Sequence, residues 1–326
     1  MLASLASVMV LLFSVNAELV LVDGQNYSGV GRHATVLEGY GIKMPQGKAS
    51  VSNLTLQAKP DALPLAQVQF TGGMTGDVDL TFENVDFESI VPFAEIAEGG
   101  MVSAIRISDY GAYTLNLTFI DCRFRTQSMI LFAGHPRLGS RRTTFNCLFE
   151  RCSLESNPIG VGPNDPHFLV QDWLPGRLTF RECILRWNMS QSTRADMQRG
   201  VILVENEDIN SFNGNQQLEV LSSKMEFIDN GLVEVGKPAS LVYVVAQPNK
   251  KRCQVLLEDV ILRRGANVPY SIVTSNQSRI EYSQCNSLLF QSYGYPAEII
   301  NLDVGKAELI GVGKIIGNGR VLEIRR

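Results

Sequence analysis

The feature that most constrains this chain is a short segment that recurs along it. Its clearest copy, residues 117–124, reads LTFIDCRF, and similar segments stand at 80–87, 149–154 and 178–185. Weaker copies follow at 227–232, 257–262 and 282–285. Steps of a few tens of residues with variable connections are typical of a solenoid. One copy cannot bury its own apolar side chains, so we expect the copies to stack and bury them against each other.

A second apolar run follows most copies. These runs lie at 101–107, 129–132, 201–204, 241–245 and 270–273. They are short, rich in β-branched and aromatic residues, and bounded by Gly, Pro and Asn, which favours strands over helices. Two or three strands per turn, repeated in register, predict an all-β parallel β-helix, a solenoid wound from one chain.

Charged residues support the same register. The position six residues after the leading aromatic holds, in successive copies, Glu88, Arg125, Glu155 and Arg186. The position two residues after it holds Asp121, Arg151 and Glu182. Neighbouring strands lie about 4.8 Å apart, so equal positions in successive turns touch. Opposite charges attract there, and the alternation therefore predicts ion pairs that run along the stack.

Composition excludes several functions. The chain has 326 residues, 45% of them hydrophobic, which is ample for one domain. Its formal charge is −4, without the basic stripe that a nucleic-acid partner requires. No cofactor is expected, because Gly311-x-Gly313 lacks the third glycine of a dinucleotide site. No metal is expected either, because Cys147 and Cys152 do not have a zinc-site spacing.

The first 17 residues predict a secretory signal peptide. They carry no charged side chain, contain an apolar run at 8–13 and end in Val15-Asn16-Ala17, which suits signal peptidase. The alternative is a buried first strand. No later stretch is long and apolar enough to span a membrane. We therefore expect a secreted or extracellular-surface protein, with an N-terminal cap and first turn at 18–60 and the solenoid at 61–326. Within the cap, the Gly-rich segment 24–47 is expected to be irregular.

Five sequons are candidate glycosylation sites. Their asparagines are Asn26, Asn53, Asn116, Asn188 and Asn276. In a eukaryotic secretory protein these could carry glycans. Asn116 stands beside a predicted strand, so its side chain must point outward to be modified.

The six cysteines leave two readings open. Cys122, Cys152 and Cys183 share the position three residues after the leading Phe, and Cys285 matches it in the last copy. That position predicts a buried column, which Asn230 and Val260 would occupy in other copies. An even count in a secreted protein favours disulfides, whereas a buried column favours free thiols.

Three long connections indicate where a site would lie. They run over 133–143, 161–177 and 205–217, and we expect them to leave one corner and to cluster. Function concentrates in long loops on a rigid scaffold. The candidate ligand-binding residues there are His135, Asp165, His167, Asp172, Trp173, Arg177, Glu205 and Asp208. Trp173 would stack on a sugar ring, while Asp172 and Arg177 would bind hydroxyls or a uronate. The alternative is a set of solvated loops, with Trp173 closing the core.

The repeated Thr-Phe-x-x-Cys-x-Phe resembles the pectin-lyase-like right-handed parallel β-helix superfamily over about residues 77–290. That superfamily includes polysaccharide lyases, galacturonases, pectin methylesterases and non-catalytic surface proteins. The galacturonase motifs are absent, since Gly134-His135-Pro136 fits only in part, and no catalytic residue is assigned. The resemblance implies a structural, adhesive or polysaccharide-binding protein, with a polysaccharide or a cell-surface molecule as partner. The alternative is a polysaccharide lyase or glycoside hydrolase.

Overall fold

The structure is a computed structural model, and it describes most of the chain after residue 17. The described ranges are 18–39, 41–58, 66–71, 74–89, 103–108, 111–134, 143–158, 168–192, 200–206, 215–231, 239–246, 253–268, 270–275, 279–283, 285, 288–301, 307–317 and 320–322. The predicted signal peptide lies outside them. Within these ranges the chain forms strands and turns, and no helix long and apolar enough to cross a membrane is found.

The described residues form 27 strands. In chain order they are β1 (Glu18–Val20), β2 (Asn26–Ser28), β3 (Val36–Glu38), β4 (Gly41–Lys43), β5 (Gly47–Gln57), β6 (Val68–Thr71), β7 (Val78–Ser89), β8 (Ser103–Ser108), β9 (Thr114–Ile120), β10 (Arg123–Thr126), β11 (Met129–Ala133), β12 (Thr144–Glu150), β13 (Ser153–Ser156), β14 (Phe168–Asp172), β15 (Gly176–Arg181), β16 (Ile184–Asn188), β17 (Gly200–Asn206), β18 (Gln216–Leu221), β19 (Lys224–Ile228), β20 (Ser240–Ala246), β21 (Cys253–Glu258), β22 (Ile261–Arg263), β23 (Tyr270–Ser275), β24 (Arg279–Ser283), β25 (Leu288–Asn301), β26 (Ala307–Gly317) and β27 (Arg320–Leu322).

These strands pair into three parallel ladders. The first ladder contains β2, β5, β7, β9, β12, β15, β18, β21 and β24, and the second contains β3, the ends of β5 and β7, then β10, β13, β16, β19 and β22. The third contains β1, β4, β6, β8, β11, β14, β17, β20 and β23. The chain visits the ladders in turn, one strand in each per repeat. Between described strands only β26 and β27 pair antiparallel. The all-β fold is confirmed, and the ladders are compatible with a parallel β-helix.

Phenylalanines of the first ladder form a continuous stack in the core. Phe119 is in register with Phe82, Phe149 with Phe119, and Phe180 with Phe149. The ring centroids of successive pairs are 5.0, 4.8 and 5.0 Å apart, and all four rings are fully buried. Stacking of offset aromatic rings adds to the free energy gained by burying them. The predicted stacking of the recurring segment is confirmed for these copies.

The register predicted for the next copy is wrong. Phe180 is followed in the first ladder by Val220, and Phe227 lies in the second ladder, in register with Trp187. The residue that follows Cys183 in the column of cysteines is therefore Ser223, whose Oγ accepts a hydrogen bond from the Cys183 N–H. Asn230, which was expected at this position, is not part of the column. Val220 was missed because an aliphatic side chain fills the aromatic position there.

A single residue turns the chain from the first ladder to the second. Seven non-glycine residues with φ between 46° and 56° stand at this corner in successive repeats: Asn53, Asn84, Asp121, Arg151, Glu182, Ser222 and Asp259. The left-handed conformation is tolerated by Asn and Asp and is more costly for other side chains. The backbone N–H of each of Asp121, Arg151 and Glu182 donates to a carbonyl of the next repeat at 2.9–3.0 Å, which offsets that cost.

The predicted charge alternation is confirmed on the outer face of the second ladder. Arg125 is in register with Glu88 and Glu155, and Arg186 with Glu155 and Glu226. The ion pairs Arg125–Glu88, Arg186–Glu155 and Arg186–Glu226 have N–O distances of 3.8, 3.9 and 3.0 Å. At the corner, Arg151 lies 2.9 Å from Asp121. These carboxylates therefore have structural partners.

Two further expectations need correction. The expected irregular segment 24–47 holds β2, β3 and β4, and Arg32 between β2 and β3 forms a 3.3 Å ion pair with buried Asp86. The expected long connection 161–177 contains β14 and the start of β15. The connection 157–167 therefore leads from the second ladder to the third, whereas 134–143 and 207–215 lead from the third to the first. The three long connections do not share one corner.

Candidate functional site

An open groove lies on the outer face of the first ladder, across β9, β12, β15 and β18. Its volume is about 600 Å³. Outward side chains of successive repeats line it, and because strands alternate their side chains between faces, the same repeats present phenylalanine to the core. The polar side chains of the lining are amides, hydroxyls, two guanidinium groups and one carboxylate, among them Asn146, Arg177 and Gln217, and apolar residues such as Leu148 line it as well.

The floor of the groove is a row of side chains three residues before the core aromatic position, which we name the amide row. Its members in the groove are Asn116, Asn146, Arg177 and Gln217, and Gln254 continues the row in register in the next repeat. Asn146 Nδ2 donates to Asn116 Oδ1 at 2.9 Å, and Arg177 Nε donates to Gln217 Oε1 at 3.1 Å. Gln217 Nε2 donates to Gln254 Oε1 at 3.1 Å. This hydrogen-bonded row holds each polar group at a fixed position along the groove.

Arg177 is the cation of the amide row, and its guanidinium group is accessible to solvent. Its side chain is 57% exposed, and its Nε lies 3.6 Å from Oε1 of Glu219, which is 24% exposed. Thr179 Oγ1 donates to Glu219 Oε2 at 3.2 Å. Only the Nε edge of Arg177 is used in these contacts. The planar guanidinium offers its terminal N–H groups to a carboxylate or to hydroxyls in the groove.

A second guanidinium stands at the edge of the groove. Arg181 lies in register with Glu150, and its NH1 lies 3.5 Å from Glu150 Oε2 with 47% of the side chain exposed. Arg177 and Arg181 are four residues apart on one strand and point to the same face. The groove therefore contains two positively charged side chains, Arg177 and Arg181, and one carboxylate, Glu219.

Trp173 lies outside this groove, on the outer face of the third ladder. It packs there with Met129, Phe132, Phe168 and Leu203 in a second apolar cluster. Its ring meets Phe132 edge-on at 5.2 Å, and only 8% of the residue is exposed. Its Nε1 donates to Glu205 Oε2 at 2.9 Å. In this position the indole packs against side chains of the second apolar cluster, which is separate from the main core.

Asp172 is buried between the third and first ladders. It is 2% exposed, its Oδ1 accepts a hydrogen bond from the Leu174 N–H at 2.9 Å, and Gln216 Nε2 donates to its backbone oxygen at 2.9 Å. Burial raises the pKa of Asp172 to about 7, opposed by its hydrogen bonds with Leu174 and Gln216. Burial raises the pKa of the nearby Cys147 and Cys253 thiols as well. The carboxyl acts as a buried hydrogen-bond acceptor of the turn.

The structure brings only some of the predicted site residues together. Arg177 lies in the groove. Asp172 is buried beneath the third ladder, and Trp173 and Glu205 contact each other on its outer face. The other four predicted ligand-binding residues lie outside the described residues: His135, Asp165, His167 and Asp208. The role of all eight in ligand binding stays a prediction.

The candidate glycosylation sites have different surroundings. Asn26 is exposed, whereas Asn53 and Asn188 donate their Nδ2 groups to Ser28 Oγ at 3.2 Å and to Asn157 Oδ1 at 2.7 Å. Asn116 lies in the amide row, so a glycan there would occupy the groove. Asn276 lies outside the described residues.

The groove residues Asn146, Gln217 and Glu219 were missed by reasoning from the sequence. The signal that points to them is their fixed distance from the core aromatic position: Asn116, Asn146 and Arg177 each stand three residues before Phe119, Phe149 and Phe180. The prediction was based on the variable connections, whereas the groove lies on the regular outer face of the repeats. Gln217 was also missed because the predicted register of its repeat took Phe227, and not Val220, as the core position.

The described residues contain no group of three or more His, Cys, Asp or Glu side chains placed to hold a metal ion. Comparison with protein-family models, with curated proteins and with solved structures finds no match for this chain.

Proposed function

We propose that the three ladders wind as a right-handed parallel β-helix of the pectin-lyase-like type. The support is the regular order in which the chain visits the ladders, with parallel pairing of each strand to its equivalent in the next repeat. Crossover connections between parallel strands of one sheet are right-handed in about 98% of cases. The recurring Thr-Phe-x-x-Cys segment and its Phe stack add to this proposal.

We propose that the protein is a secreted or cell-surface polysaccharide-binding protein, and that the groove on the first ladder binds an acidic polysaccharide. The observation that carries this proposal is the amide row, which repeats a polar group every rung beside the exposed guanidinium groups of Arg177 and Arg181. A rung spacing of about 4.8 Å is close to the length of one sugar residue, so an extended chain could meet successive rungs. Guanidinium groups bind carboxylates in a bidentate geometry.

The number of carboxylates in the groove favours binding over catalysis. A glycoside hydrolase requires two carboxyl groups on opposite sides of the scissile bond. Among the described residues that line the groove, Glu219 is the one carboxylate, and it is held by Arg177 and Thr179. Asp172 has a pKa suited to a general acid, but its carboxyl is buried away from the groove. The enzymatic alternative therefore depends on residues other than these.

The test is a titration of the full chain with polygalacturonate and, separately, with dextran as a neutral polysaccharide. Calorimetry measures binding, while absorbance of unsaturated uronates and assay of reducing ends measure cleavage. We expect polygalacturonate to bind more tightly than dextran, and binding to weaken as salt rises. Failure of polygalacturonate to bind would overturn the proposal, and new chain ends would establish the enzymatic alternative.

A matched pair of variants locates the binding. Arg177→Gln removes a cation of the groove, whereas Arg125→Gln removes one from the second ladder. The two side chains are comparably exposed, at 57% and 60%, and they form ion pairs of 3.6 and 3.8 Å with Glu219 and Glu88. We expect Arg177→Gln to weaken polygalacturonate binding roughly tenfold, as for loss of one charge-assisted hydrogen bond, and Arg125→Gln to leave it unchanged. Equal losses in both would show unspecific charge attraction and contradict the groove.

A further inference from the structure

Three thiols stand directly above one another in the core. Cys122, Cys152 and Cys183 follow the left-handed corner residue in three successive repeats. Their backbones are adjacent, because Ser153 N–H donates to Cys122 O at 3.0 Å and Ile184 N–H donates to Cys152 O at 2.9 Å. We name these three residues the thiol column. Adjacent strands place equivalent Cα atoms about 4.8 Å apart, which lies within the range that a disulfide spans.

The side chains of the thiol column share one orientation. The thiol of Cys152 contacts Phe119 O of the preceding repeat and Glu150 O of its own repeat, both at 3.3 Å. The thiol of Cys183 contacts Phe149 O at 3.3 Å and Arg181 O at 3.2 Å in the same manner. All three residues are 1–2% exposed. Equal contacts in each repeat align the three sulfur atoms along the axis of the stack.

The thiol column has definite ends. The equivalent position in the preceding repeat is Val85, and in the following repeat it is Ser223, neither of which has a sulfur atom. The odd number of thiols means that one disulfide between neighbours always leaves one thiol over. Cys152 is the member with a thiol neighbour on both sides.

The electrostatics distinguish the central thiol. Hydrogen bonds from the Cys122 and Cys183 thiols lower the pKa of Cys152, against the effect of its burial. Burial, together with the Cys152 thiol, raises the pKa of Cys122, and contact with Cys152 together with burial raises that of Cys183. The thiolate is the nucleophile in thiol–disulfide exchange, and Cys152 is the member of the column that stands next to both of the other thiols.

We propose that the thiol column is an oxidative cross-linking site, in which Cys152 forms a disulfide with either Cys122 or Cys183. Each bond ties two successive repeats together, and the third cysteine remains a free thiol beside it. That thiol can attack Cys152 Sγ, so the cross-link passes between the two pairs without further oxidant. The cross-link forms while the repeats close over the column, since the folded chain shields all three sulfurs.

Glutathione disulfide is a suitable oxidant. The Cys152 thiolate attacks one of its sulfur atoms, breaks the S–S bond and releases one glutathione as the thiolate, which takes a proton from the neighbouring cysteine. That cysteine, Cys122 or Cys183, then attacks Cys152 Sγ and releases the second glutathione. Two protein thiols are oxidised to one disulfide, and one glutathione disulfide is reduced to two thiols.

The test is to refold the reduced full chain with reduced and oxidised glutathione and to map its disulfides. Remaining thiols are alkylated in denaturant, and the chain is digested with trypsin without reduction. Cleavage after arginine separates the cysteines, because Cys122, Cys147, Cys152 and Cys183 fall in peptides 107–123, 143–151, 152–177 and 182–186. Mass spectrometry should find 152–177 joined to 107–123 in some molecules and to 182–186 in others. Alkylation of all three cysteines in every molecule, or a link from 152–177 to 143–151 alone, would overturn the proposal.

Serine variants sharpen the result. Cys122→Ser should leave only the link between 152–177 and 182–186, and Cys183→Ser only the link between 107–123 and 152–177. Cys152→Ser should abolish both. Serine fits this position, because Ser223 Oγ in the next repeat donates to Leu221 O at 2.7 Å, as the cysteines do. A link between 107–123 and 182–186 in Cys152→Ser would contradict the central role of Cys152, and the two outer variants decide the matter even where Cys152→Ser does not fold.

Discussion

The indole Nε1 of Trp173 donates a hydrogen bond of 2.9 Å to Oε2 of Glu205. Both residues are predicted from the sequence to bind a ligand, and in the structure they bind each other. The bond joins the turn after β14 to the end of β17 in the next repeat. Their contact therefore stabilises the corner that leads to the groove.

Replacing Trp173 by Phe tests the contribution of this hydrogen bond. We expect Trp173→Phe to lower the free energy of unfolding by about 1–2 kcal/mol, because the Glu205 carboxylate loses one hydrogen-bond donor. Trp187→Phe is the matched control, since Trp187 is fully buried and its Nε1 has no hydrogen-bond partner. Urea titrations followed by circular dichroism compare the two variants. A larger loss in Trp187→Phe would show that ring volume, and not the bond to Glu205, decides the effect.

The buried Asp172 predicts a pH dependence of stability. Its pKa is about 7 in the folded chain, against an ordinary value of 3.8, so the folded state holds the proton more tightly than the unfolded state. This contribution to stability is fully present below about pH 4, falls as pH rises towards 7 and is lost above it. The difference corresponds to at most roughly 4 kcal/mol.

Asp172→Asn should remove this dependence. The amide keeps an acceptor for the Leu174 N–H and carries no charge at any pH. We expect the variant to be more stable than the natural chain at pH 8 and to lose most of that advantage at pH 4. Denaturant titrations at a series of pH values measure the difference. A constant difference between the two proteins across that range contradicts the assignment.

Phe149 tests the core stack. It lies between Phe119 and Phe180 at centroid distances of 4.8 and 5.0 Å and is fully buried. We expect Phe149→Ala to lower the free energy of unfolding by about 3–5 kcal/mol, because the stack resists collapse into the cavity. Phe149→Leu retains most of the volume and should cost clearly less. Midpoints of urea unfolding report both, and equal midpoints for the two variants would show that the volume filled by Phe149 does not decide the loss.

Glu226 tests the outer charge row. Its side chain is 15% exposed and lies 3.0 Å from Arg186, 3.1 Å from Lys224 and 3.9 Å from Arg263. Glu226→Gln should cost about 1–2 kcal/mol, because it leaves three cations beside a partly buried position. Glu88→Gln should cost about 0.5 kcal/mol or less, since Glu88 has one pair of 3.8 Å and is 28% exposed. Thermal unfolding at low and high salt separates them, and a smaller loss for Glu226→Gln would contradict the role of the network.

The candidate site was predicted less well than the stack. Arg177 was identified because guanidinium groups bind uronates, and the structure places it in the groove. Asn146 and Gln217 carry no distinctive chemistry alone, and they gain a role only through register with Arg177. Asp172 and Trp173 look like ligand-binding residues in the sequence, yet burial decides their surroundings, and burial depends on which strands pack around them.

The sequence by itself determined the strands of the recurring segment, the stack from Phe82 to Phe180 and the alternation from Glu88 to Arg186, because each follows from a short pattern repeated at nearly constant steps. Only the tertiary structure decided that Val220 follows Phe180, that β14 lies within the segment read as a loop, and that Trp173 faces Glu205. Connections of unequal length obscure the register between repeats, and only the pairing of distant strands restores it.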